Sequence, residues 1–378
     1  MIYLDNSATT QPYDEVIAAF KKTAFDYFAN PSSLHRKGGE VERLVRQARR
    51  SIASLLGVEE EEVIFTSGGT ESNNLAIKGT AFEHMKRGKH LITSQTEHAS
   101  SMESFRQLEK MGFDVTYLPV DGEGQVSKDD LVEALTKDTI LVSLLHVNNE
   151  VGSIQPINEL GSIIKEKSRA LFHVDDVQGV GKVASDVHSV ADLVSYSAHK
   201  FHGLKGSGLL VKRKNVSLFP LLSGGGQENE FRSGTENVPG IVSTAKALRL
   251  YMQKSQSNVK KLNDLKIKYI EKLEEIKEVV MNTPTKSAPH IINFSVPGIK
   301  PEVLIHALEE KDIYVSTRSA CSSRTAEPSH VLTALGVSNS RASAAIRVSL
   351  SYETTEQELD VFLLELTKAI HKLKEVMR

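Results

Sequence analysis

Lys200 is the residue whose neighbours best prepare it for covalent chemistry. It follows Ser195-Tyr196-Ser197-Ala198-His199 and precedes Gly203, Gly206 and Gly208, so an amine leaves a strand-like run into a glycine-rich stretch. Taken alone, such a lysine is an ordinary surface residue at a turn. Upstream, His173-Val174-Asp175-Asp176-Val177-Gln178 sets a carboxylate at the end of another apolar run. Open α/β sheets gather their ligands at strand ends. Thr66-Ser67-Gly68-Gly69-Thr70-Glu71 passes from strand to helix through small residues, whose free N–H groups suit a phosphate. That glycine pattern is weak by itself, because it has neither the Walker lysine spacing nor the dinucleotide spacing. His98, in Thr96-Glu97-His98-Ala99, offers a flat ring just after the run 90–94.

In combination these residues are far more specific. A lysine for a Schiff base, an acid to keep a pyridine nitrogen protonated, a phosphate cup and a flat group over a ring are what pyridoxal 5'-phosphate requires. The other reactive group is the single cysteine, Cys321. A lone cysteine is usually a small buried hydrophobe. Its neighbours Ser319, Ala320, Ser322 and Ser323 are small and mostly polar, however, and a turn-like stretch runs on to Pro328. Large apolar neighbours would mark a packed cysteine, so this one is expected on a loop, where reactive groups concentrate. The stretch from Val315 to Pro328 is comparable to the roughly 12–15 residues above which loops tend to be functional.

The elements that must position these groups are legible from about residue 62. Strand-like runs lie at 63–66, 90–93, 140–145, 171–174 and 193–196, with helix-like stretches near 71–87, 99–111, 127–136 and 157–168. Continuous apolar strands separated by helices indicate a mainly parallel sheet covered on both faces. A charged stretch, roughly 241–280, reads as a long, partly exposed helix between two domains. Beyond Pro284 and Pro289 come a strand (291–294), a helix (302–310), strands (313–315 and 346–349) and a final amphipathic helix carrying Leu359, Phe362, Leu363, Leu366, Ile370 and Leu373. Thr354 and Gln357 have the spacing of a capping box for that helix. The division expected is a large domain over 13–255 and a smaller α+β domain over 256–378, joined by the segment 1–12.

Composition bounds the rest. The 378 residues include 46 basic and 48 acidic ones, a formal charge of -2, which gives no general drive toward nucleic acid or an anionic membrane. No apolar run approaches the roughly 18 residues of a membrane helix, and the start Met1-Ile2-Tyr3-Leu4-Asp5-Asn6 has no signal-peptide pattern. One cysteine excludes an internal disulfide and an all-cysteine zinc site. A cytoplasmic protein with no metal is the expectation.

The ordered motifs carry a resemblance. Tyr3-Leu4-Asp5-Asn6-Ser7-Ala8-Thr9-Thr10, Asn30-Pro31-Ser32-Ser33-Leu34-His35, Thr66 to Asn74, His146-Val147-Asn148-Asn149-Glu150-Val151-Gly152, Ser197-Ala198-His199-Lys200, Arg232-Ser233-Gly234-Thr235 and Ser319-Ala320-Cys321-Ser322-Ser323 run almost end to end. The chain resembles cysteine desulfurases of the NifS/IscS type, in the class V aminotransferase superfamily. The resemblance implies the fold of fold type I pyridoxal-phosphate enzymes, with a seven-stranded, mainly parallel sheet flanked by helices. It implies that Lys200 bonds the cofactor and moves protons, Asp175 pairs with the ring nitrogen and Gln178 bonds the phenolic oxygen. His98 would stack on the ring and serve as an acid or base, and Gly69, Thr70, Ser197 and His199 would hold the phosphate. Thr235 would reach the phosphate of a neighbouring subunit, which implies a homodimer. Asn149 and Arg347 would bind the carboxylate of L-cysteine, and the place of Arg347 inside an apolar strand already argues against a surface arginine. Cys321 would take the sulfur as a persulfide and pass it to an acceptor protein for iron–sulfur cluster, thiolated tRNA or thiamin synthesis.

Two departures stand out. Arg318 occupies a position usually held by glycine, and Asp176 replaces a small residue. Arg318 and Arg324 flank the thiol; either their charge favours the thiolate, or they face solvent or an acidic partner. Selenocysteine lyase and aminotransferase activities use the same scaffold, but a simple aminotransferase has no need of the Cys321 stretch. A non-catalytic sulfur-relay subunit is the alternative from another class, and the presence of both Lys200 and Cys321 argues against it.

Overall fold

The computed structural model describes residues 1–317 and 328–376. Cys321, Arg318 and Arg324 therefore lie outside the described residues. The main sheet has seven strands, ordered Val63–Thr66, Gly208–Lys212, Leu193–Ser197, Leu171–Asp175, Thr139–Leu145, His90–Ser94 and Asp114–Leu118. Gly208–Lys212 runs antiparallel to both of its neighbours. The pairs from Leu193–Ser197 across to Asp114–Leu118 are parallel. Inner strands such as Thr139–Leu145 are buried at every residue, as a sheet covered on both faces demands.

Two strands were not legible as such. Gly208 opens the antiparallel strand rather than ending a glycine-rich loop, because Leu209, Leu210 and Val211 are apolar enough to be buried between two others. Asp114–Leu118 is an edge strand with only Leu118 fully buried, so its apolar signal is diluted. The intervening helices Gly69–His84, Ala99–Lys110, Lys128–Ala134 and Ile157–Lys167 fall close to the expected stretches.

Helices Asp14–Asp26 and Arg36–Leu56, which the sequence reading did not place, pack against the long helix Val238–Glu274. That long helix begins where the Asn237 side chain accepts a bond from the Gly240 N–H at 3.1 Å. It stops at Glu274, short of residue 280. Val280 and Met281 instead pair antiparallel with Ser295 and Phe294, and β pairing of apolar residues outweighs another helical turn.

Ile291–Ser295 and Ala345–Ser349 complete a three-stranded antiparallel sheet with Val280–Met281. Pro301–Glu309 and Glu356–Val376 are the accompanying helices. The final helix is not capped by Thr354 and Gln357. Its box is one residue later: the Thr355 Oγ1 accepts from Glu358 N at 3.3 Å while Glu358 Oε2 accepts from Thr355 N at 2.8 Å. Thr354 Oγ1 is occupied by the Ser351 N–H. The chain start docks onto this second half: Ile2 and Tyr3 pair in parallel with Ile313 and Tyr314, and Asp5 bridges to Ser349. Among the described residues no helix is long and apolar enough to cross a membrane.

Candidate active site

A cavity of about 180 Å³ lies at the carboxyl ends of the parallel strands, bordered also by the chain start and by Arg347. Its lining includes Gly69, Thr70, His98, Asn149, Asp175, Gln178, Ser197, His199, Lys200 and Arg347, each expected from the sequence. Thr235 is not among them; it borders a second, smaller cavity with Ser67 and Arg232.

At one end the strand Val63–Thr66 turns through Gly68 into the helix Gly69–His84. Gly68 has φ +148°, a region that only glycine enters freely. A Cβ on Gly69 would stand 3.0 Å from Val177 Cγ2, so a larger residue there would crowd the close approach of these two segments. The first N–H groups of a helix carry positive partial charge, and Ser197 and His199 border the same space. Burial, reinforced by the neighbouring Lys200 charge, pushes the His199 pKa down to about 3, so its ring is neutral there.

Asp175 ends its strand inside the cavity wall. Its Oδ2 accepts from Asn73 Nδ2 at 2.7 Å and its Oδ1 from Val177 N at 3.1 Å. Burial nevertheless raises its pKa, and among the described residues no cation forms an ion pair with it. A protonated ring nitrogen is the partner such a carboxylate fits. His98 caps the helix Ala99–Lys110: its Nδ1 accepts from Ser100 N at 3.2 Å. That bond leaves the ring proton on Nε2. Burial lowers the His98 pKa, against the opposing pull of Asp175, so the group is a neutral imidazole.

Lys200 follows strand Leu193–Ser197 through a single 3-10 turn. Its Nζ donates to the carbonyls of Ser7 and, at 2.9 Å, Ala8. Burial is the main reason its pKa falls to about 7, and the charges of Arg347 and Lys182 push the same way. Gln178 donates through Nε2 to Ser7 O at 2.9 Å, and its Oε1 faces His290 Nε2 at 3.2 Å; one amide N–H stays uncommitted. At the other end Arg347, fully buried, donates from Nη2 to Asp5 Oδ1 at 2.7 Å and from Nη1 to Asn149 O at 2.9 Å. Among the described residues the Asn149 side-chain amide has no hydrogen-bond partner.

Sequence reasoning missed the supporting cast. Asn73 and Asp5 sit inside motifs it quoted, yet no role was assigned to either. Glu97, next to His98, is wholly buried: its Oε1 accepts from Ser94 Oγ at 2.7 Å and Leu145 N at 3.0 Å. Burial raises its pKa to about 8.

This arrangement is a familiar one. The Aminotransferase class-V family profile matches residues 2–362. The cysteine desulfurase IscS of Dictyoglomus turgidum is 46% identical over 378 residues, covering 99% of this chain and 96% of the relative. A NifS/IcsS protein homolog of Lactobacillus delbrueckii subsp. bulgaricus is 45% identical, covering 96% and 95%. Among solved structures, a NifS-like protein superposes with a TM-score of 0.92 at 38% identity, covering 98% of this chain and 99% of that one. SspA, solved in complex with cysteine, gives a TM-score of 0.82 at 34% identity, covering 94% and 100%. The chain belongs to the class-V aminotransferase family, in its NifS/IscS branch.

Proposed function

We propose that this protein is a cysteine desulfurase that converts L-cysteine to L-alanine, using pyridoxal 5'-phosphate carried on Lys200 and receiving the sulfur on Cys321. Enzymes of the class-V aminotransferase family depend on pyridoxal 5'-phosphate in general. The observation that carries the residue assignment is the convergence on one cavity of a low-pKa lysine, a buried carboxylate without a cation, a helix start and a buried arginine. Gly69, Thr70, Ser197 and His199 would hold the phosphate, Asp175 the ring nitrogen, Gln178 the phenolic oxygen, and His98 would cover the ring.

When bound, the cofactor supplies an electron sink that makes the α-proton of an amino acid removable. The remaining tasks fall to this chain. Arg347 and the Asn149 amide would hold the α-carboxylate, a role that suits the planar guanidinium. Lys200, with a pKa of about 7, is present as both amine and ammonium at neutral pH, so Nζ can take a proton from the α-carbon and return one. His98 holds a proton on Nε2 that it can offer to the substrate. The Cys321 sulfur would attack the substrate sulfur: an S–S bond forms, the C–S bond breaks, and its electron pair and a proton end on alanine. The persulfide would then pass its outer sulfur to an acceptor protein. Thr235, which lies away from this cavity, would serve the site of a second subunit in a homodimer.

Alanine and sulfide released from L-cysteine in the presence of a thiol reductant test the reading. The native holoenzyme should yield both, and Cys321→Ser should lose the sulfide. Full activity in the variant, or a keto acid as the only product, would replace this reading with a lyase or an aminotransferase.

A further inference from the structure

Arg347 sits in strand Ala345–Ser349 with no exposure to solvent. A buried guanidinium without a counter-charge is strongly destabilising. Asp5 supplies that charge, with its carboxylate 2.7 Å from Nη2. Arg347 borders the cavity and Asp5 does not, so the carboxylate grips the guanidinium from outside the cavity.

Asp5 is itself held firmly. The Asp5 carbonyl accepts from Ala8 N at 3.0 Å. Asn6 Nδ2 donates to Ser349 O at 3.0 Å, and Ser7 N donates to Ser349 Oγ at 2.8 Å. Ser349 lies two positions beyond Arg347 on the same strand, so the chain start and the arginine are clamped to one frame. A guanidinium has five N–H bonds; here Asp5 and the Asn149 carbonyl take one each.

We propose that Asp5 is a positioning residue for Arg347: it fixes the plane of the guanidinium so that free terminal N–H bonds meet the α-carboxylate of the substrate. The inference rests on Arg347 as the carboxylate binder. Two carboxylates then share one planar fork, the resident one from Asp5 and the incoming one from the amino acid. The same segment also accepts the Lys200 ammonium at Ser7 and Ala8, so both cations that border the cavity are oriented by residues 5–8.

The test compares L-alanine with L-alaninamide, which lacks the carboxylate, as ligands of the holoenzyme by calorimetry. Asp5→Ala should weaken L-alanine about tenfold and leave L-alaninamide within about twofold, the scale of one charged hydrogen bond. Asp5→Asn keeps an oxygen acceptor for Arg347 and should weaken L-alanine by only about threefold, again sparing the amide. It decides the matter alone if Asp5→Ala does not fold. Equal weakening of both ligands, or of neither, overturns the proposal, because a merely structural aspartate would not discriminate between them. Binding is read without turnover, so a protein that binds L-alanine as described yet releases no sulfide would defeat the desulfurase reading and not this one.

Discussion

The two ends of the cavity are built by different means. At the cofactor end every group stands at the end of a strand of one sheet or a few residues beyond it: Gly69, His98, Asp175, Ser197 and Lys200. Few of their charges are cancelled by ion pairs, so burial shifts their titration instead, Lys200 down to about 7 and Asp175 upward. At the carboxylate end Arg347, Asp5 and Asn149 come from three distant parts of the chain, and the buried charge has a resident counter-charge. The first end takes its groups from the sheet, and the chain start only adds carbonyls of Ser7 and Ala8 against Lys200 and Gln178. The second needs the chain start to dock on the C-terminal half.

Substitutions should separate the two ends. The largest effect is expected at the cofactor end: Lys200→Ala should lower kcat for alanine release on the order of 10⁴-fold, the upper range for loss of a positioned acid–base group. A loss below about tenfold would remove Lys200 from proton transfer. At the opposite end, Arg347→Lys should lower kcat/KM for L-cysteine about 100-fold, mostly through KM, because an ammonium cannot satisfy Asp5, Asn149 and a substrate carboxylate in one plane. A change confined to kcat would instead place Arg347 in the chemistry and erase the contrast.

The smallest effect concerns Glu97, which ties the segment of His98 to Leu145. Its carboxyl titrates at about 8 when folded, against an ordinary 4.5. The unfolded chain therefore loses this proton first, and the stability Glu97 contributes is complete below pH 4.5 and is lost as pH rises to about 8. Glu97→Gln removes that loss. Relative to the native protein, its melting temperature should rise by a few degrees between pH 5 and pH 9. A difference that does not change with pH would mean that Glu97 already ionises in the folded protein near its ordinary pKa.

Much of this is legible in the sequence. Apolar runs followed by Asp175 and Lys200 mark the sheet and the site together, since a strand buried on both faces keeps its charged groups to its end. The edge strand Asp114–Leu118 is not legible, because only Leu118 is fully buried and Asp114 and Thr116 interrupt the apolar pattern. Helices Asp14–Asp26 and Arg36–Leu56 escaped for a similar reason: each buries only a narrow stripe. Thr354, the cap expected from the sequence, is taken up by the Ser351 N–H, and Thr355 caps the helix in its place.

What the sequence determined by itself was the set of reactive groups and the strands that end in them, since both follow from residue type and short-range periodicity. The tertiary structure alone decided that Asn73 braces Asp175, that Ser7 and Ala8 receive Lys200, and that Asp5 grips Arg347. These contacts join residues far apart in the chain, and no local propensity records which buried charge will find which partner. Only the requirement that each buried polar group be satisfied selects them, and it acts after the chain has closed on itself.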